Sequence, residues 1–204
     1  DHFRGFEVGP IGVIPLGLDR SRFAVPSNSV RIPKTLAYCG TLEPRKNVGL
    51  LIEAYAALYQ SDPRWRITIM GDGPEKGSLI DRCSRQGLPV RFLGRVPPDV
   101  VISELQQHEI YVHPSVKESF SFALLEAKLA GLKTVAYSGL QVPSEFVDNP
   151  VSNFEADSWR GAILAAASSK AAPLDIDVYT LDQMADRTVR ASKSFRFSAN
   201  EGRA

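Results

Sequence analysis

The chain has 204 residues, 44% of them apolar and 23% charged, with 24 lysines and arginines against 23 acidic residues. That length holds one well-buried core but not two domains of ordinary size, and the apolar share excludes a disordered chain. The charge balance argues against a dedicated nucleic-acid binder, no apolar run could span a bilayer, and Asp1–Gly5 lacks the regions of a signal peptide, so any anion site must be local.

Residues 1–34 read as irregular and rich in Gly and Pro, with one short apolar stretch, Val13–Asp19, ending in turn residues. Thr35–Cys39 reads as a buried strand stopped by Gly40. A helix follows over Val48–Tyr59, with Leu51, Ile52, Tyr55 and Leu58 on one face and Asn47 as its N-cap. Trp65–Met70 is the second strand, closed by Gly71-Asp72-Gly73-Pro74, and Pro74 suits the first turn of a helix running to about Gln86. Val90–Gly94 is a third strand, Pro97–Gln107 a helix, and Glu109–His113 a fourth strand. Phe122–Ala130 is a helix closed by Gly131, Lys133–Tyr137 a fifth strand, and a short strand falls near Val151. Helices are expected near Ser158–Ser168 and Tyr179–Ser194.

Strands alternating with helices of this length imply right-handed βαβ units. They predict an α/β fold: a Rossmann-like, doubly wound parallel sheet with helices on both faces. Ligands in such sheets bind at the C-terminal strand ends, here the loops after Cys39, Met70, Leu93, Val112 and Tyr137.

The loop after the fourth strand carries the most chemistry. A helix starts there near Ser119–Phe122, where unpartnered N–H groups can hold an anion, and its face through Ala123, Glu126, Ala127 and Ala130 is small except for Glu126. In the loop after the first strand, Arg45 and Lys46 stand just ahead of a helix N-terminus, Arg45 able to fork onto an oxyanion and Lys46 adding a point charge. Both segments also read as ordinary solvated features: an amphipathic helix with an exposed Glu126, and a surface pair of cations. Gly71-Asp72-Gly73-Pro74 admits close approach of a ligand, but with Lys76 where a third glycine would fall it is not a dinucleotide fingerprint. His113 reads as a packed or capping residue, with a ligand contact as the alternative, His108 as a surface helix-end residue, Trp65 and Trp159 as packing anchors, and Asp99 and Glu104 as solvated helix charges. Cys39 and Cys83 have no metal-ligand spacing and make no convincing disulfide framework, so a reducing cytosol is the simpler home.

Four motifs in order resemble the C-terminal, donor-binding domain of GT-B-fold glycosyltransferases, specifically retaining family 4. They are Ile14-Pro15-Leu16-Gly17-Leu18-Asp19, Gly40-Thr41-Leu42-Glu43-Pro44-Arg45-Lys46-Asn47, Gly71-Asp72-Gly73-Pro74, and Glu118-x7-Glu126. The resemblance covers about residues 11–170. It implies that Arg45 and Lys46 neutralise a donor diphosphate, that Glu118 contacts the donor sugar, and that Glu126 accepts hydrogen bonds from the ribose. It further implies that backbone N–H groups around Ser119, Phe120, Ser121 and Phe122 hold sugar and phosphate. Gly40 and Thr41 belong to the phosphate loop, and Gly71 with Gly94-Arg95-Val96 lies near ribose and base. No metal is expected, cations and a helix N-terminus taking its place. Thr41 departs from the family's frequent Arg, and Ser121 from its frequent Gly.

The same resemblance implies a division into a lead-in from a missing N-terminal acceptor domain (1–30), a nucleotide-sugar-binding domain (31–175) and a C-terminal helical tail (176–204). The expected partners are a nucleotide-sugar donor, that missing domain, and a glycan or lipid-linked acceptor. The expected location is cytoplasmic, any membrane attachment coming through the missing half. The expected activity is hexosyl transfer with retention, absent from the isolated fragment; the alternative is a non-catalytic nucleotide-sugar-binding module. An epimerase would need the missing Gly-x-Gly-x-x-Gly turn, and an interaction-only domain would show no protection by nucleotides.

Overall fold

A computed structural model of the chain describes residues 16–23, 31–172 and 174–201. It divides into two compact units, Arg22–Leu174 and Asp1–Ser21 with Asp175–Ala204. The expected readings of Val13, Ile14 and Pro15, and most of the 1–30 lead-in, lie outside the described residues.

The larger unit is built on strands β1 (Thr35–Cys39), β2 (Arg66–Met70), β3 (Val90–Gly94), β4 (Ile110–His113), β5 (Lys133–Tyr137) and β6 (Asn149–Val151). They form one sheet in the order β3-β2-β1-β4-β5-β6, and every pairing is parallel. Helices α1 (Val48–Ser61), α2 (Lys76–Arg85), α3 (Pro98–Gln107), α4 (Phe122–Leu129) and α5 (Ala156–Ser168) cover both faces. This is the doubly wound order in which the winding reverses between β1 and β4.

The strands β1, β2 and β4 are buried almost end to end, as a sheet covered on both sides requires. Leu51, Ile52, Tyr55 and Leu58 of α1 are fully buried, as their spacing predicts, and Trp65 and Trp159 anchor the same core. Burying each such side chain contributes about 1.5–3 kcal/mol. One buried ion pair fixes α4 against the sheet. Lys128 Nζ lies 2.6 Å from Asp148 Oδ1, while Asp148 Oδ2 accepts from the backbone N–H and hydroxyl of Thr134 at 2.9 and 3.1 Å.

Four local expectations are corrected. Asn47 does not cap α1 through its side chain; it takes a left-handed backbone (φ 52°) that turns the chain from the 3-10 turn Pro44–Lys46 into the helix. Pro74 lies outside α2, because the backbone before Lys76 is used elsewhere: Leu42 N donates to Asp72 O at 2.9 Å and Glu75 N to Leu42 O at 3.0 Å, tying the β1 and β2 loops together. His108 is at a helix end but buried, its ring nitrogens 2.6 Å from Glu104 O and 2.9 Å from Thr68 Oγ1. Glu104 is buried as well, held by both terminal nitrogens of Arg91 at 2.8 and 2.9 Å. A helical charge becomes a core group here because a cation from β3 satisfies both oxygens.

In the smaller unit Leu18 pairs in parallel with Thr180, Leu18 N donating to Tyr179 O at 2.8 Å, just ahead of helix α6 (Leu181–Glu201). No described helix is long and apolar enough to cross a membrane.

Candidate functional site

The reversal of winding between β1 and β4 opens a crevice beyond the C-terminal strand ends. Two loops meet there, Gly40–Asn47 after β1 and Pro114–Ser121 after β4. Their backbones are joined: Val116 N donates to Arg45 O at 3.0 Å, and the Ser115 hydroxyl reaches the same carbonyl at 3.3 Å.

Glu118 is the hub. Its Oε1 is ion-paired with Lys46 Nζ, takes a hydrogen bond from Ser115 Oγ at 3.0 Å, and lies 3.2 Å from His113 Nε2 and 3.9 Å from Arg45 Nη1. The side chains of Lys46 and Glu118 are only 12% and 13% exposed. Burial alone pushes the Glu118 carboxyl up, but the hydrogen bonds from His113, Lys46 and Ser115 and the Lys46 charge outweigh it and bring it to about 2. His113 is lowered as well, since burial of the ring outweighs the pull of Glu118. An ionised carboxylate only accepts, which assigns the ring proton of His113 to Nε2, the nitrogen facing it.

Arg45 remains half exposed, its Nε 2.7 Å from Glu43 Oε1, and the Thr41 hydroxyl donates to that same oxygen at 2.9 Å. The two loops thus present two cations beside two partly buried carboxylates.

Helix α4 begins at Phe122. Ser121 precedes it with a left-handed backbone (φ 64°), a conformation costing a non-glycine residue about 1–2 kcal/mol. Its hydroxyl accepts from Leu124 N at 3.3 Å, and such a cap contributes about 1 kcal/mol in return. The Ser121 oxygen thus accepts from the third amide of the helix, leaving the first-turn amides of Phe122 and Ala123 for an anion. Phe120 packs edge-on against Phe146 and Phe122, with ring centroids 5.5 and 5.3 Å away, and Ser119 is exposed beside it.

A cleft of about 190 Å³ opens beside β1, lined by Gly40, Thr41, Gly71, Asp72, Arg95 and Val96 among others. Its wall is backbone: Gly40 N donates to Met70 O at 3.0 Å and Gly71 N to Gly94 O at 2.7 Å. A Cβ on Gly71 would fall 1.8 Å from Gly40 O, so only glycine permits the two loops to touch.

Glu126, on α4, is half-buried, and its carboxyl has no hydrogen bond or ion pair among the described residues. Burial raises that carboxyl, with Arg22 opposing. Its charge is felt at Cys39, a cleft residue whose thiol is pushed up to about 12, first by burial and then by Glu126.

The structure thus brings Arg45, Lys46 and Glu118 into one contact group and gathers Gly40, Thr41, Gly71, Arg95 and Val96 around one cleft. Glu126 and Ser119–Phe122 do not line that cleft, although the charge of Glu126 is felt at its Cys39. Sequence reasoning gave no role to Glu43 or Ser115 and weighed His113 as a packed or capping residue or a ligand contact, not as a partner of Glu118. Glu43, two residues from Arg45 in one turn, was within reach of a charge-pattern reading; the pairing of Ser115 and His113 with Glu118 depends on how the loop folds back.

Over residues 19–189 the chain matches the family described as Glycosyl transferases group 1. It is 30% identical over 159 residues to a phosphatidylinositol N-acetylglucosaminyltransferase subunit from Arabidopsis thaliana, covering 75% of this chain and 35% of that protein. The chain spans a minor part of the first three curated relatives it matches, 14%, 35% and 31% of their lengths. Among solved structures it resembles S. aureus TarM, crystallised with UDP among other ligands, with a TM-score of 0.75 at 19% identity over 91% of this chain and 40% of that one. It also resembles the C-terminal domain of a group 1 glycosyl transferase from Francisella tularensis, with a TM-score of 0.69 at 20% identity over 81% of this chain and all of that one.

Proposed function

The chain belongs to the Glycosyl transferases group 1 family, and from that premise we propose that its crevice holds a nucleoside-diphosphate sugar as donor. A hexose passes from that donor, with retention, to a glycan or lipid-linked acceptor. The observation that carries this reading is the meeting of Arg45, Lys46 and Glu118 at the β1–β4 crevice, with the α4 N-terminus and the glycine-walled cleft beside them.

The diphosphate is the leaving group, and the negative charge it gains is met by the two cations and by the first-turn amides of α4. Glu118, kept ionised by its partners, orients the sugar hydroxyls, and Glu126 accepts from the ribose. The nucleoside lies in the cleft against Gly71, Arg95 and Val96. The acceptor is bound by a further domain, whose closure excludes water. That domain also carries any attachment to the cytoplasmic face of a membrane, and the isolated chain transfers little.

The test is a thermal-shift panel of UDP, GDP, ADP and their hexose conjugates, with UDP first because the S. aureus structure contains it. A hundredfold excess over the dissociation constant stabilises by about 2.7 kcal/mol through linkage. A panel in which no nucleoside diphosphate raises the melting temperature removes the donor site. Transfer assays on the parent polypeptide, with and without Glu118→Ala, then separate an enzyme from a module that only binds.

A further inference from the structure

A carboxylate beside an anion site needs an explanation, because on charge alone Glu43 should weaken the binding of a diphosphate. Its contacts supply one. Glu43 Oε1 lies 2.7 Å from Arg45 Nε and accepts from Thr41 Oγ1 at 2.9 Å. At its other end Arg45 is pinned through its carbonyl by Val116 N, while Nη1 stands 3.9 Å from Glu118 Oε1. A long, half-exposed side chain is thereby held by its backbone and by the Nε edge of its guanidinium. The edge left for an anion is the pair of terminal amino groups, which matches two phosphate oxygens in a fork. A free arginine gives up rotamer freedom to make such a fork; one already held gives up less.

We propose that Glu43 is a positioning residue that, with Thr41, aims the terminal amino groups of Arg45 at the donor diphosphate. This rests on the reading of the crevice as a diphosphate site. Thr41 buttresses Glu43, and Glu43 acts only through Arg45.

The experiment is a calorimetric titration of the chain with UDP and GDP, and with uridine and guanosine as controls, on wild type, E43A, E43Q, R45A and E43A/R45A. Glu43→Ala is expected to weaken diphosphate binding about fivefold, equivalent to about 1 kcal/mol, and to leave nucleoside binding unchanged. Glu43→Gln, which keeps an oxygen acceptor for Nε, stays within about twofold of wild type. In the Arg45→Ala background the Glu43→Ala change has no further effect, as a residue acting through another requires. The proposal is overturned if E43A binds as tightly as wild type or more tightly, if E43Q is as weak as E43A, or if Glu43→Ala costs as much without Arg45 as with it. If wild type binds neither diphosphate, the donor-site reading itself fails and the positioning role with it; if wild type binds and only the Glu43 results disagree, the reading stands and the positioning role falls.

Discussion

Lys46 and Glu118, 72 residues apart in the chain, form an ion pair that joins the β1 and β4 loops, and both side chains are largely withdrawn from water. The pair sets the charge state of the site, because Glu118 is held at about 2 against its ordinary 4.5. A carboxylate depressed on folding contributes stability that is present above about pH 4.5 and is lost as pH falls through about 2. Acid unfolding monitored by circular dichroism should show wild type losing on the order of 3 kcal/mol from this group over that window, and Glu118→Gln losing none of it. Equal acid sensitivity in the two proteins would mean that the pair is not formed in solution.

Glu126 should behave in the opposite sense. Burial raises its carboxyl, so its ionisation opposes folding: the contribution is favourable while it is protonated, at low pH, and is lost as pH rises through its raised value. Glu126→Gln is expected to raise the melting temperature at pH 7 while weakening the binding of UDP or GDP, the trade seen where a site is kept at the expense of stability. A Gln variant less stable than wild type at pH 7 would show that the carboxylate has a partner in solution.

Gly71→Ala should damage the site through the backbone. Gly71 has φ 138°, and an added Cβ would sit 1.8 Å from Gly40 O. Forcing the loops apart costs on the order of 2–4 kcal/mol from the unfavourable dihedral and the overpacking together. Chemical denaturation should show that loss, and binding of nucleoside diphosphates should fall with it. A variant with wild-type stability and affinity would place the two loops further apart than they are here.

Lys128 and Asp148 hold α4, the helix of Glu126, against β5. Their side chains are 1% and 5% exposed, and Lys128 Nζ also donates to Ala172 O at 2.8 Å. Lys128→Met leaves Asp148 charged in the interior and should cost about 3–5 kcal/mol by urea denaturation, and adding Asp148→Asn should recover most of it. A loss below about 1 kcal/mol for the single change is what a solvent-exposed pair gives, and would remove this role.

If Arg45, Lys46 and the α4 N-terminus carry the diphosphate charge by themselves, then a chelator should leave the affinity for UDP or GDP within about twofold, a difference of about 0.4 kcal/mol. Calorimetry with and without EDTA, and with added Mg²⁺ or Mn²⁺, checks this; binding that requires either cation would show that the protein's cations are insufficient.

Much of the fold was legible residue by residue. β1, β3 and β5 fall where runs of apolar residues place them, and α1 buries the face its spacing predicts. Gly40–Asn47, Gly71–Pro74 and the Glu118 loop fall, as read, between a strand and the helix that follows it. Where reading failed, a distant partner decided. Glu104 was taken for a solvated charge until Arg91 of β3 met both its oxygens, and His108 for a surface residue until Thr68 of β2 received its ring. At Ser121 the deciding contact is local: a left-handed turn lets its oxygen accept from Leu124 N.

By itself the sequence determined which segments are strand and helix, that the strands are parallel and covered on both faces, and which loops lie at their C-terminal ends. Those properties follow from local periodicity and from the handedness of βαβ units. Only the tertiary structure decided that β1 neighbours β4, and so that Lys46 meets Glu118. Strand order comes from hydrogen-bond ladders between segments far apart in the chain, which no local pattern encodes. The same holds for the two glutamates: identical in the sequence, they are driven in opposite directions, because a carboxyl's proton affinity is set by the charges and burial around it.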